Sequence, residues 1–276
     1  FAFPNVLDID RPRPRRGVPA GIPDRRALER VHAEMRRVFA SHEFGSIEEA
    51  RQAFQARFVG PIDDIPSTAA TPLERAQDLC YRAVEVSGRA RVVLARRALA
   101  LSRDCADAWV LLAEHEASAE RALDLFREGV AAGERALAGE WADEAGRPYW
   151  ADDRTRPYMR ARFGAASVLE ALDRRDEAAA EYRELLTLTP SDNQGARYPL
   201  LDILLDTGRD DEARDLLARY EDDVAASWLW GRALVEYRLR PGGPAAERAL
   251  LEAIEANPHV LDLFDDPEAL DQPVPD

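Results

Sequence analysis

The sequence contains no lysine. All 37 basic side chains are arginine, against 52 Asp and Glu, for a formal charge of −15. A surface of that sign repels polyanions, which argues against DNA or RNA as a partner. Cysteine is nearly absent too. Cys80 and Cys105 cannot build a disulfide framework, so they read as small core residues in a reducing compartment, and a cytoplasmic location is the expectation. No apolar run approaches the ~20 residues that cross a bilayer, so no membrane partner is expected. The opening Phe-Ala-Phe-Pro lacks the basic-then-apolar start of a secretory signal, and without an initial Met the natural chain is expected to start earlier.

Chemistry-bearing patterns are missing as well. There is no Gly-x-Gly-x-x-Gly, no phosphate loop and no nucleophile elbow, so no catalytic residue and no cofactor is expected. The four histidines (His32, His42, His115, His259) form no i,i+4 pair, and Glu114, His115 and Glu116, being adjacent, point different ways on a helix; no metal site is expected. The paired acids Asp63-Asp64, Asp152-Asp153 and Asp222-Asp223 fall in turns, where capping is their expected role.

What is present is helical. Alternating Val/Ile/Thr runs do not occur, while Ala, Leu, Glu and Arg, which lose little side-chain freedom in a helix, dominate. The expected fold class is all-α. Residues 1–24 hold five of the 18 prolines and the basic run Arg11-Pro12-Arg13-Pro14-Arg15-Arg16, and read as an extended arm. An N-terminal helical hairpin is expected over 25–58. Asp24 is its N-cap, Leu28, Val31, Met35, Val38 and Phe39 give the first apolar stripe, Ser46 and Glu49 resemble a capping box, and Ala50, Phe54 and Phe58 give the second stripe. A linker with Gly60, Pro61 and Pro66 spans 59–71.

The rest repeats. Ala178, Tyr182, Leu185 and Pro190 are matched by Ala213, Leu217 and Tyr220, then by Ala246, Leu250, Ala253 and Pro258, at gaps of 35 and 33 residues. Twelve residues before each Ala lie Ala166, Leu201 and Leu234, and three further on Leu169, Leu204 and Tyr237. The turns Asp173-Arg-Arg-Asp-Glu-Ala178 and Gly208-Arg-Asp-Asp-Glu-Ala213 are parallel, with Asp176 and Asp211 as expected N-caps. These residues resemble the tetratricopeptide repeat in period, in the Ala/aromatic/small/Pro signature and in the two-helix unit. Arg162 and Arg197 stand where that pattern has an aromatic, and Leu201 and Leu234 where it has a very small residue. Three repeats are expected within 156–260, at roughly 159–192, 193–226 and 227–259. Degenerate repeats around Leu94–Leu101 and Ala108–Gly129 fill 72–138, an acidic aromatic insertion occupies 139–155, and residues 261–276, with Leu263 and Phe264, form a C-terminal cap or tail. The expected architecture is an α-solenoid of tetratricopeptide-like hairpins.

A second resemblance covers about residues 72–260. Leu111-Leu-Ala-Glu-His-Glu-Ala117, Ala119-Glu-Arg-Ala-Leu-Asp-Leu-Phe126 and Ala132-Gly-Glu134 are similar to the suppression of tumorigenicity seven family of helical-repeat proteins. Arg156-Pro-Tyr-Met-Arg-Ala-Arg162, Asp192-Asn-Gln-Gly-Ala-Arg-Tyr198 and Asn257-Pro-His-Val260 resemble its bacterial members. The resemblance implies a tetratricopeptide-like solenoid and brings no catalytic residues.

First helices of such hairpins line a concave face, whose expected lining includes Arg160, Phe163, Tyr198, Asp202, Trp228 and Arg238. The alternative for Phe163, Tyr198 and Trp228 is packing between repeats. Arg156 and Arg160 form a pair suited to a carboxylate. Arg162 and Arg197, at partly buried offsets, require a carboxylate partner, with ligand contact by either as the alternative. The expected function is a non-catalytic adaptor binding a protein or peptide in the groove. The alternatives are a homo-oligomer built through the N-terminal arm and hairpin, and an enzyme with a site at the acidic insertion.

Overall fold

In the computed structural model, the described residues (25–57, 66–138 and 149–265) carry thirteen α-helices and no strand. The arm 1–24 with Asp24, Phe58, linker residues 59–65, insertion residues 139–148 and residues 266–276 lie outside the described residues, as do the side chains of Leu263 and Phe264. Neighbouring helices pack in chain order, and the chain divides into two compact units, one through Asn193 and one from Gln194.

The first unit opens with α1 (Arg25–Ser41) and α2 (Ile47–Arg57). Ser46 caps α2 by accepting the Glu49 N–H at 3.1 Å, and Glu49 reaches back one residue further than a standard capping box, to the Gly45 N–H. No described side chain of α2 is buried. Then come three hairpins: α3 (Pro72–Val84) with α4 (Gly88–Leu101), α5 (Ala106–Ala113) with α6 (Ala119–Leu137), and α7 (Arg156–Ala171) with α8 (Arg175–Leu188). α3 starts at a complete capping box of Thr71 and Glu74, with Pro72 in the first turn where its missing N–H costs nothing. The first helices α3, α5 and α7 touch one another in order and form a layer. Ala76, Cys80, Ala83, Ala95, Ala98, Cys105, Ala108 and Leu111 make one continuous core. Cys80 and Cys105 are free and buried with their sulfurs 3.6 Å apart; that contact, and then burial, push the Cys80 thiol well above its ordinary pKa. α6 and α7 approach so closely that a Cβ at Gly164 would fall 2.1 Å from the Phe126 ring and one at Gly133 2.7 Å from Tyr158.

The second unit holds α9 (Arg197–Asp206) with α10 (Asp210–Arg219), α11 (Ala226–Leu239) with α12 (Pro244–Ala256), and the short α13 (His259–Asp265). Two of the three repeats keep the expected burial: Ala166, Leu169, Ala178 and Tyr182 in one, and Leu201, Leu204, Ala213 and Leu217 in the next, are all inside. The third departs from it. Leu234, Tyr237 and Leu250 are exposed, and Trp228, Val235, Ala246 and Ala253 are the buried set. The reason is positional: Leu201 packs toward Gly231 of the following hairpin, and no described hairpin follows α12.

The repeated turn is built alike in both units. After α7, the Asp173 N–H bonds the Glu170 carbonyl and the Arg174 N–H the Leu169 carbonyl. After α9, Gly208 and Arg209 do the same to Leu205 and Leu204. This is the Schellman arrangement, with Asp173 (φ 56°) and Gly208 (φ 67°) in the left-handed position. The expected N-caps are corrected by one feature of it. The turn delivers Arg174 and Arg209 to the N-cap positions, so Asp176 and Asp211 fall inside the first turn, where their charge faces the positive end of the helix. Each N-cap arginine forks onto the acid three residues on, Glu177 or Glu212.

Candidate functional site

The layer of first helices in the first unit is not bare. α1 lies on it, and the face that α1 turns inward is charged. Leu28 and Phe39 of the expected apolar stripe are 40% and 48% exposed, whereas Glu29 and Glu34 are each 2% exposed and Arg37 9%. Val38 alone of that stripe is buried. Periodicity located the helix but not its inner face, where Ala33 and Val38 are buried beside Glu29, Glu34 and Arg37, because the layer presents ions that charged side chains complement.

The centre of this seam is Arg160 on α7. Its guanidinium forks onto Glu29 of α1 at 2.9 Å through both oxygens, and onto Asp107 of α5 at 2.9 and 2.7 Å. Gln77 of α3 adds a bond to Asp107 at 2.6 Å, and Arg156 stands 3.5 Å from Glu29. Burial opposes charge on Arg160, but Asp107 and Glu29 outweigh it and hold its pKa well above the ordinary value. Burial likewise pushes the Asp107 carboxyl up, and Arg160 overrides it, so the net direction is down. Tyr81 is pushed well up, by burial first and then by the charges of Glu29, Asp153 and Asp107, which keeps its hydroxyl protonated. Along α1, Arg37 bonds Asp78 at 3.0 Å and pairs with Glu34, Arg36 pairs with Asp153, and Glu34 accepts the Thr68 N–H and hydroxyl.

Arg156 and Arg160, read as a carboxylate-capturing pair, thus face a carboxylate of the chain itself. Arg156 also lies 5.0 Å from the Trp150 ring and donates to the Trp150 carbonyl. Phe163 turns into its own hairpin, edge-on to Tyr182 at 5.6 Å. Arg162 finds the required carboxylate in Glu181 at 3.0 Å.

The second unit gathers Arg197, Tyr198 and Trp228 into one cluster and adds Tyr220 and Asp223. Arg197 bonds Asp223 at 2.7 Å and lies over three rings, 4.4 Å from Tyr198, 5.3 Å from Tyr220 and 5.8 Å from Trp228. The Tyr198 hydroxyl donates to the same Asp223 oxygen at 2.8 Å. Burial raises the Asp223 carboxyl, but the Ala225 N–H and then Arg197 bring it below its usual range. Trp228 is fully buried, edge-on to Tyr198 and Tyr220, as the inter-repeat packing alternative has it. Asp202 is half-buried on α9. Arg238 is used apart from the cluster, donating to the Leu205 carbonyl at 2.8 Å and to Asp210.

Sequence reading missed Glu29, Asp107 and Asp223, the acids that these arginines meet. The signal was half present: an arginine at a buried offset demands a carboxylate, but the demand names no position when the partner is up to 131 residues away. Among the described residues no group of three or more His, Cys, Asp and Glu side chains is placed to hold a metal ion, and no helix is long and apolar enough to cross a membrane. No protein-family model, curated protein or solved structure matches the chain.

Proposed function

We propose that the protein is a non-catalytic adaptor of tetratricopeptide-like solenoid type, whose layer of first helices receives a helical segment of a partner polypeptide. The observation that carries this reading is α1 held against α3 and α7 chiefly by ion pairs, with only Ala33 and Val38 as buried apolar contacts. A helix held by forked ion pairs can be exchanged for another that presents the same charges, because the pairing specifies position more than it adds net affinity. The segment recognised is one that offers a carboxylate to Arg156 and Arg160 and, two turns on, an arginine to Asp78 and Glu74, as Glu29 and Arg37 do.

The test uses the full chain with Glu29→Gln, which loosens its own α1, and a fluorescent peptide copying residues 25–41. Anisotropy should show the variant binding the peptide at least about tenfold more tightly than wild type does, in line with a charged hydrogen-bonded pair, and a peptide carrying the same Gln should bind poorly. If the variant, folded by circular dichroism, takes up neither peptide, the layer is not a helix-receiving surface.

A further inference from the structure

The second helix of the first hairpin, α4, carries a charge opposite to that of the chain. From Val86 to Arg103 there are five arginines and no acid, in a sequence of formal charge −15. Arg91 is spent at the end of α3, where it donates to the Ala83, Val84 and Val86 carbonyls, and Arg103 lies 5.0 Å from the Trp109 ring. Arg89, Arg96 and Arg97 are exposed and have no partner among the described residues. They surround Val93, which is 48% exposed. Arg89 and Arg97 stand one turn before and one turn after it, about 6 Å along the axis, and Arg96 lies on its flank.

The outer face of α12 carries the opposite arrangement. Leu251 is 66% exposed, with Glu247 one turn before it and Glu255 one turn after. Both glutamates are exposed, and neither side chain has a partner among the described residues. Glu252 stands beside them, 4.0 Å from Arg232. The one arginine of this face, Arg248, lies one turn before Glu252, so the excess is acidic. A lone exposed Val or Leu is ordinary. These two faces share one frame, an apolar residue with charges four residues to either side, and they differ in sign.

We propose that α4 of one copy docks on α12 of a second copy, so that the protein associates with itself head to tail. Val93 meets Leu251 and excludes water from the centre of the contact, while Glu247 and Glu255 reach Arg89 and Arg97. Guanidinium forks suit this role, because each takes a carboxylate through two bonds. The frame is symmetric about its apolar residue, so the charges match with the helices parallel or antiparallel. The occupant is another copy because the complement of α4 stands on every chain in the same frame. Since the two faces differ, a pair of copies leaves one α4 and one α12 open, and association continues into chains or closes into a ring. Both faces belong to second helices of their hairpins, so the contact does not use the layer of first helices and holds whether or not a partner helix binds there.

The experiment is sedimentation velocity on the full chain over a concentration series. At about 0.1 M salt the repulsion between copies of like net charge is screened beyond ~10 Å, whereas contacting pairs are not. The weight-average sedimentation coefficient should rise with concentration, and the rise should shrink at about 1 M salt. The double variants Arg89→Glu/Arg97→Glu and Glu247→Arg/Glu255→Arg should each weaken self-association at least about tenfold, since each sets like charges face to face. Mixed in equal amounts, the two should associate again, because the reversed α4 then meets the reversed α12, a rescue that damage to the fold does not give. Leu251→Arg, at an exposed position, should weaken association as well, and it decides the question if a double variant is not folded by circular dichroism. A wild type that stays monomeric across the series overturns the proposal, as do variants that associate like wild type and a folded pair that fails to rescue.

Discussion

Arg160 and Arg197 are guanidiniums drawn off the surface in different ways. Arg160 is gripped edge-on by two buried carboxylates from two other helices, one of them α1. Arg197 bonds the Asp223 carboxylate and lies against the faces of three aromatic rings. In the first arrangement everything depends on pairing, since removing the cation leaves two acids in a medium that cannot solvate them. In the second, ring quadrupoles and contact area share the work, and loss of the cation leaves aromatic surface that still packs. The same residue type thus makes a fastening in the first unit and a filler of packed space in the second.

The largest effect should come from Arg160→Met. It strands Glu29 and Asp107 and should destabilise the first unit by about 3–5 kcal/mol, the cost of breaking a buried pair from one side. Denaturant melts give the size, and hydrogen exchange should show α1 losing protection first, because Glu29 is its central anchor. The contrast between the two arginines fails if this variant costs no more than its counterpart in the second unit.

That counterpart, Arg197→Ala, should cost about 1–2 kcal/mol, from cation–π contacts and one partly exposed ion pair. Arg197→Lys sharpens the test. An ammonium keeps the charge for Asp223 but cannot lie flat on the rings, so it should recover less than half of the loss. Full recovery by Lys, measured by the same melts, would make Arg197 an ordinary salt bridge.

The difference between these sites bears on what can be read from a sequence. The helices and the two-helix repeat were legible, because Ala178, Tyr182 and Leu185 recur as Ala213, Leu217 and Tyr220 and local spacing carries that information. The requirement for a carboxylate at Arg162 and Arg197 was legible from burial cost alone. The seam of α1 was not. Its apolar stripe, Leu28 to Phe39, is the stronger pattern along the chain, and only the three-dimensional juxtaposition of Glu29 with Arg160 makes the charged face the inner one. Nor was the third repeat's departure legible: Leu234 and Leu250 sit in register, and their exposure follows from the lack of a described hairpin stacked on them.

The smallest effect is expected at the turn shared by the two units, where the backbone bonds and the N-cap arginine are held constant. Both turns make the same two backbone bonds and place an N-cap arginine on an acid three residues on. At the left-handed position one has Asp173 and the other Gly208. A side chain there crowds its own carbonyl, a cost that Asp reduces but does not remove and that glycine escapes. Asp173→Gly should therefore stabilise the first unit by about 0.5–1 kcal/mol, and Gly208→Asp should destabilise the second by a similar amount. No atom lies within 4 Å of a Cβ built on Gly208, so backbone strain alone is at issue there. Asp173 also pairs with Arg175 at 2.7 Å, but both side chains are well exposed and the pair contributes little. Opposite signs in the two melts would show that the units share one turn chemistry; equal signs would mean that the surroundings of the turn, not its left-handed residue, decide its stability.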